Sequence, residues 1–284
     1  NKHLIGRGAN DMKSSIACFV SAVNKFLRTN QKFKGSISLL ITGDEEGYAI
    51  NGTKKVVEYL RKKGEKINFC IVGEPTNPNR LGEMIKIGRR GSLTGKIEIF
   101  GVQGHVAYPH LLNNPINTLI KICNKLKEKK LDRGNKNFQP SNLEFTRVYV
   151  DNKAHNIIPA SAKAQFNIRY NNFHTANSLK KKINHVIRSL SKKSKCKFKV
   201  EYLANGDSFL TKPNKTILMA QKIIKKITKV NPKFSTTGGT SDARFIKKIS
   251  PCLLLYFNTE LKIRPIRQHK FQEYEKLLST FQEQ

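Results

Sequence analysis

From Met12 to Arg28, apolar residues fall at Ile16, Phe19, Val20, Val23 and Leu27, the spacing of one helix face. Past Gly35 the pattern shortens to a continuous apolar run, "SISLLIT", which reads as a strand buried on both faces. A short helix from Thr53 to Lys63 and the strand "INFCIV", ending in "GEP", follow. Helices alternating with uniformly apolar strands predict an α/β fold with a doubly wound sheet, in which ligands sit beyond the carboxyl ends of the strands.

After "KIGRRGS" the pattern changes. A strand (Leu93 to Phe100), a helix (Pro115 to Lys127), two alternating strands (Leu143 to Val150 and Ala162 to Tyr170), a helix (Ala176 to Leu190) and a strand (Phe198 to Leu203) give the order βαββαβ, the ferredoxin-like unit. A helix (Thr216 to Thr228), the loop "TTGGTSDARF" and the strand "CLLLYF" then resume the α/β pattern. The expected organisation is therefore a discontinuous first domain, residues 1–90 and 207–284, with a second inserted at 91–206.

Composition narrows the class. The 284 residues are 38% hydrophobic, as in a folded globular chain, and no apolar run reaches the ~18 residues that span a bilayer. No leader pattern opens the sequence, which reads as cytoplasmic. Asn1 in place of a methionine reads as a fragment or truncated product. Five scattered cysteines (Cys18, Cys70, Cys123, Cys196, Cys252), none in a CxxC spacing, signal neither a disulfide framework nor a zinc-thiolate site and read mostly as small buried hydrophobes. The formal net charge of +33 could be a nucleic-acid footprint, but the lysines spread along the whole length amid abundant Asn and Ile, and no recognition motif accompanies them. Solvated lysine faces are the expected reading, with no nucleic-acid partner.

Against that charge, three consecutive acids, Asp44, Glu45 and Glu46, stand directly after the first apolar run. Adjacent carboxylates repel, so something cationic is expected there. Asp11 at a helix entrance and Glu74 after the next strand complete a set of acids at strand and helix ends. Oxygen donors of this kind suit divalent cations, and an acid beside a metal can serve as general base towards water. On spacing alone, each acid could equally cap a helix or pair with a lysine.

The motifs "GRGANDMK", "ITGDEEG", "VGEP", "IGRRGSLTG", "GVQGHVAYPH", "NIIPA", "FNIRY", "FLTKP" and "TGGTSDARF" follow one another over residues 1 to about 257. In that order they resemble the co-catalytic zinc aminoacylase/carboxypeptidase family. "GRRGS" and "GHVAYPH" tilt the resemblance towards the branch acting on N-succinyl-LL-2,6-diaminopimelate. It implies a zinc-hydrolase catalytic domain with a ferredoxin-like dimerisation domain, two zinc (or cobalt) ions per subunit, and hydrolysis to LL-2,6-diaminopimelate and succinate in lysine biosynthesis. By motif, Asp11 would bridge the metals, Glu74 and Glu46 would complete one site each, and Glu45 would be general base and acid. His105 would reach the oxyanion from the second subunit of a homodimer. Arg89, Arg169, Asn156, Gly238, Gly239 and Thr240 would bind substrate. An acetylornithine-type deacylase and a basic nucleic-acid-binding remnant are the alternatives.

Two family features lack a counterpart. The histidine–X–aspartate motif upstream of "GRG" is not matched, since His3 has no acid two residues on. The second ligand histidine, expected after "CLLLYF", is represented only by His269 in unlike surroundings, or an altered reading frame near Asn258 replaces it. One or fewer tight metal sites, and a nearly inactive chain as it stands, are expected.

Overall fold

A computed structural model of the chain describes residues 6–47, 49–74, 76–128, 130–250 and 252–255. A wide helical turn at Ala9–Lys13 leads into α1 (Ser14–Thr29), and α2 spans Thr53–Lys62. The strands β1 (Cys70–Gly73), β2 (Met84–Lys86) and β3 (Gly88–Arg89) lead into β4 (Gly91–Phe100) and β5 (Gly104–His105). Then come α3 (Pro115–Glu128), β6 (Asn142–Tyr149), β7 (Ile157–Ile158), β8 (Ser161–Tyr170), α4 (Ala176–Lys193) and β9 (Lys197–Ala204). The chain continues through β10 (Phe209–Leu210), α5 (Lys215–Thr228), β11 (Lys233–Ser235), α6 (Ala243–Ile246) and β12 (Cys252–Leu255).

One four-stranded sheet has the order β6-β8-β4-β9, with every pair antiparallel. This is the split βαβ arrangement of a ferredoxin-like unit, as the strand and helix order predicts. Its inner face is written by period-two alternation: Leu93, Ile97 and Ile99 of β4 and Ala162, Ala164, Phe166 and Ile168 of β8 are buried. Onto it α4 lays Leu179, Ile183 and Ile187, one residue per turn, and α3 lays Leu119 and Ile122. Thr175 caps α4, accepting the Ser178 amide while Ser178 Oγ accepts the Thr175 amide. The outer face carries ion pairs such as Lys163–Glu98 (3.0 Å) and Lys199–Glu201 (2.7 Å), so the sheet is half solvated.

The other four-stranded sheet, ordered β1-β12-β2-β11, is mixed: β1 with β12 and β2 with β11 are parallel, β12 with β2 antiparallel. Val57 of α2 and Ala243 and Ile246 of α6 pack with Cys70 and Val72 of β1, while Ile217 of α5 packs with Ile85 and Ile87.

The expected strand over 36–42 does not form among the described residues. The run is extended, but it enters no ladder, and Ile41 is 61% exposed. Apolar propensity supplies the conformation, but a strand also needs a neighbour to take its backbone bonds. Of the cysteines read as buried, Cys196 is buried, Cys70 and Cys123 half-buried and Cys18 exposed. No helix among the described residues is long and apolar enough to cross a membrane.

Candidate active site

Asp11 lies in the turn before α1, where its backbone leaves helical values (φ −121°, ψ 94°) and the Asp11–Met12 peptide is cis. Glu45 and Glu46 lie in a tight turn built by Asp44, whose carboxylate accepts the amides of Ile50 (2.6 Å) and Asn51 (2.7 Å). Those backbone bonds, that from Asn51 foremost, hold the Asp44 carboxyl below its usual range, so Asp44 shapes the turn. Glu74 follows β1 directly, at the carboxyl end of a sheet strand.

These acids feel one another. Burial, then the charges of Glu46, Asp242 and Asp11, push the Glu45 carboxyl up to about 7. Burial, then Glu45, pushes Glu74 up to about 8 against the opposing pull of Arg89, with Asp11 and Asp242 adding to the rise. Asp11 is raised by burial and by Glu46, and Arg7 opposes the shift. Carboxylates that disfavour each other's ionisation in this way form a concentrated negative field.

The donor chemistry of this field fits divalent cations: hard oxygen ligands whose mutual repulsion a dipositive charge would relieve. Among the described residues, however, no three His, Cys, Asp or Glu side chains come close enough to form a metal-holding group. His269 lies outside the described residues.

Arg89, whose charge reaches Glu74, also touches the loop that carries Gly238, Gly239 and Thr240. Arg89 is buried on β3, and its Nη1 donates to the carbonyl of Thr237. Gly238 has a φ of +99°, and a Cβ there would lie 2.5 Å from Arg89 Nη1, so both backbone conformation and the close guanidinium demand glycine. Arg244 Nη1 donates to Thr240 Oγ1 and to the Ser241 carbonyl, both at 3.1 Å.

His105 and Asn156 come together separately, on the β5–β7 ribbon where His105 pairs with Ile157. His105 Nδ1 accepts the Ala107 amide (3.1 Å), and its Nε2 stands 3.3 Å from Nδ2 of Asn156. His105 is exposed, and no hydrogen bond among the described residues links it to the acids. Arg169 is placed elsewhere again, on β8 opposite Ser92 and Asn142. Arg90 Nη1 reaches Asn142 Oδ1 (3.0 Å), which brings Arg90 beside Arg169.

Three residues escaped the sequence reading. Asp242 joins the acidic field and lies 3.6 Å from Arg244. Arg244 opposes the rise of Glu45 and orients Thr240. Lys86 is 5% exposed and donates to Thr237 Oγ1 at 2.5 Å. The signals were present: a lysine inside the apolar strand "MIKI", and two further charges within "TSDARF".

Residues 87–195 match the peptidase dimerisation domain family of the M20 type. The chain is 65% identical over 251 residues to the succinyl-diaminopimelate desuccinylase of Pelagibacter ubique, covering 88% of this chain and 65% of that protein. It is 46% identical over 274 residues to the succinyl-diaminopimelate desuccinylase of Rickettsia bellii, covering 96% and 68%. The chain thus spans about two thirds of the length of these relatives, a little less for the first. A tripeptidase structure from Staphylococcus aureus superposes with a TM-score of 0.69 at 19% identity over 88% of this chain and 62% of its own. An aminopeptidase structure from Bacillus cereus gives 0.65 at 18% over 82% and 59%. At such identities the likeness is one of fold. The chain belongs to the succinyl-diaminopimelate desuccinylase family, and carries that family's α/β fold with an M20-type dimerisation domain.

Proposed function

We propose that this protein hydrolyses the amide of N-succinyl-LL-2,6-diaminopimelate, releasing succinate and LL-2,6-diaminopimelate on the route to lysine. The observation that carries this reading is the electrostatic meeting of Asp11, Glu45, Glu46 and Glu74 beside the Arg89–Gly238 contact. Acids and a carboxylate-binding guanidinium in one place suit hydrolysis of an amide that bears a carboxylate. The succinyl substrate rests on the relatives' names at 65% and 46% identity.

In this reading residues 1–90 and 207–284 form the catalytic unit, and residues 91–206 the inserted unit through which two copies pair. Asp11, Glu46 and Glu74 would hold zinc or cobalt, two ions in the family and one or fewer tightly in the chain as it stands. Those ions supply Lewis acidity at the amide carbonyl and lower the pKa of water into the neutral range. Glu45, left free by its neighbours, takes the proton of the attacking water and delivers it to the departing amine, which would otherwise leave as an unstable anion. Arg89, through the fork of its guanidinium, orients a substrate carboxylate, and Thr240 presents its hydroxyl from a loop kept open by two glycines. Arg169 binds a carboxylate at the inserted sheet, and Asn156 orients His105.

His105, presented by the partner subunit, would donate Nε2–H to the oxyanion. Support for pairing comes from the dimerisation-domain match and from exposed apolar residues flanking His105: Val106, Tyr108 and Leu111 are 46%, 58% and 67% exposed. The reading places the reaction in the cytoplasm. Release of succinate from the succinyl amide by protein supplied with zinc or cobalt tests the proposal, and no release from the metal-loaded gene product would overturn it.

A further inference from the structure

The loop that carries Gly238, Gly239 and Thr240 is seated from two directions. From the catalytic sheet, Lys86 stands opposite Ser235 in the β2–β11 register, and its Nζ donates to Ser235 Oγ (3.3 Å) and Thr237 Oγ1 (2.5 Å). Arg89 donates to the Thr237 carbonyl, and the Ile87 amide donates to the Ser235 carbonyl (3.0 Å). Thr236, between these two anchored residues, is 4% exposed, and its hydroxyl donates to the carbonyl of Asn137, in the segment joining α3 to β6.

That segment holds Asn137 firmly. Asn135 Oδ1 accepts the amides of Asn137 (2.9 Å) and Phe138 (3.1 Å), and Phe138 is 3% exposed. Asp132 accepts the Gly134 amide (2.6 Å), the Ser141 amide (3.2 Å) and Asn171 Nδ2 (2.7 Å), and pairs with His174 at 3.1 Å. Arg90 ties down the Pro140 carbonyl (3.3 Å). Gly134 has a φ of +73°, and a Cβ there would lie 2.7 Å from the Phe138 carbonyl oxygen. All these bonds fix one turn of the inserted unit, whose carbonyl reaches across to the catalytic loop.

We propose that the Thr236 hydroxyl and the Asn137 carbonyl form a latch between the two units, making Thr236 a positioning residue for the Gly238–Thr240 loop. Its role in substrate binding rests on the function proposed above, whereas the latch itself does not. A loop held only by Lys86 and Arg89 would move with the catalytic sheet. One also held at Asn137 takes its shape from the placement of the inserted unit, so that placement gates how well Gly238 and Arg89 receive substrate. Removing the hydroxyl takes the donor from a half-buried carbonyl and breaks this bond between the two units.

The test is amide hydrogen exchange, read by mass spectrometry, in Thr236→Val, Thr236→Ala and Thr236→Ser. Valine and alanine are expected to speed exchange about tenfold over both 134–139 and 236–241 while leaving β8 and α4 unchanged, and serine to restore the parent rates. In the same proteins, KM for the succinyl amide is expected to rise about tenfold with kcat within about twofold. Unchanged exchange in both segments would overturn the latch whatever the turnover. Faster exchange with unchanged KM would overturn the positioning role. Because exchange needs no turnover, a parent that releases no succinate contradicts the proposed function without touching the latch.

Discussion

Glu45 and Asp44 are adjacent acids with opposite environments. Asp44 spends its oxygens on the amides of Ile50 and Asn51 and is held acidic, while Glu45 has no such donors among the described residues and is raised by burial and by Glu46. That contrast separates a turn former from the proposed proton carrier, and no propensity scale distinguishes the two in "GDEEG". Glu45→Gln is expected to lower turnover by about 10²- to 10⁴-fold, since an amide cannot accept the water proton. Its thermal midpoint should stay within a few degrees of the parent, because among the described residues Glu45 makes no hydrogen bond that builds the turn. Steady-state kinetics beside a melting curve checks both halves, and retained turnover would remove Glu45 from the mechanism. Lys86, Asp242 and Arg244 were overlooked for a physical reason. Each is an ordinary charge until the chain folds 149 positions of separation, for Lys86 and Ser235, into one contact.

At the scale of elements, legibility follows how local the information is. β8 reads "SAKAQFNIRY", small and large apolar residues alternating with polar ones, and its burial alternates in step. In α4 the apolar residues Leu179, Ile183 and Ile187 repeat every four positions and meet that sheet. Ile187→Ala, in a fully buried position, should cost about 2–5 kcal/mol, measured by denaturant unfolding of the inserted unit. The run 36–42 carries an equally strong pattern and still forms no strand among the described residues, because pairing is a property of two segments and a pattern belongs to one. The α3–β6 connection was not read at all, its order lying in side-chain bonds rather than periodicity. Burial there acts to raise the Asp132 carboxyl, but the bonds from Ser141, Gly134 and Asn171 together outweigh it and hold the carboxyl below its usual range. A depressed folded-state pKa adds stability above the unfolded value of about 3.9, lost as pH falls through the folded value. Asp132→Asn should therefore lower stability at neutral pH, with the difference from the parent shrinking in acid below about pH 4. A gap that persists undiminished to pH 2 would contradict this.

The whole molecule sets a separate ferredoxin-like core beside a mixed α/β sheet, with the acids at the carboxyl end of β1 and in the turns nearby. His105 stands on the β5–β7 ribbon with no hydrogen bond to those acids among the described residues, and in the proposed site a second copy presents it. Sedimentation at micromolar concentration should accordingly give a dimer, and an active monomer would remove His105 from the oxyanion. The central claim is the succinyl amide itself, and the most direct measurement is kcat/KM of the metal-loaded gene product for N-succinyl-LL-2,6-diaminopimelate against an N-acetyl amide such as N-acetylornithine. In the proposed site the free carboxylate held by Arg89 distinguishes the first acyl group from the second, and a site built to bond such a group discriminates by orders of magnitude. The account predicts a preference of at least about 10²-fold for the succinyl substrate; equal rates, or preference for acetyl, would contradict it.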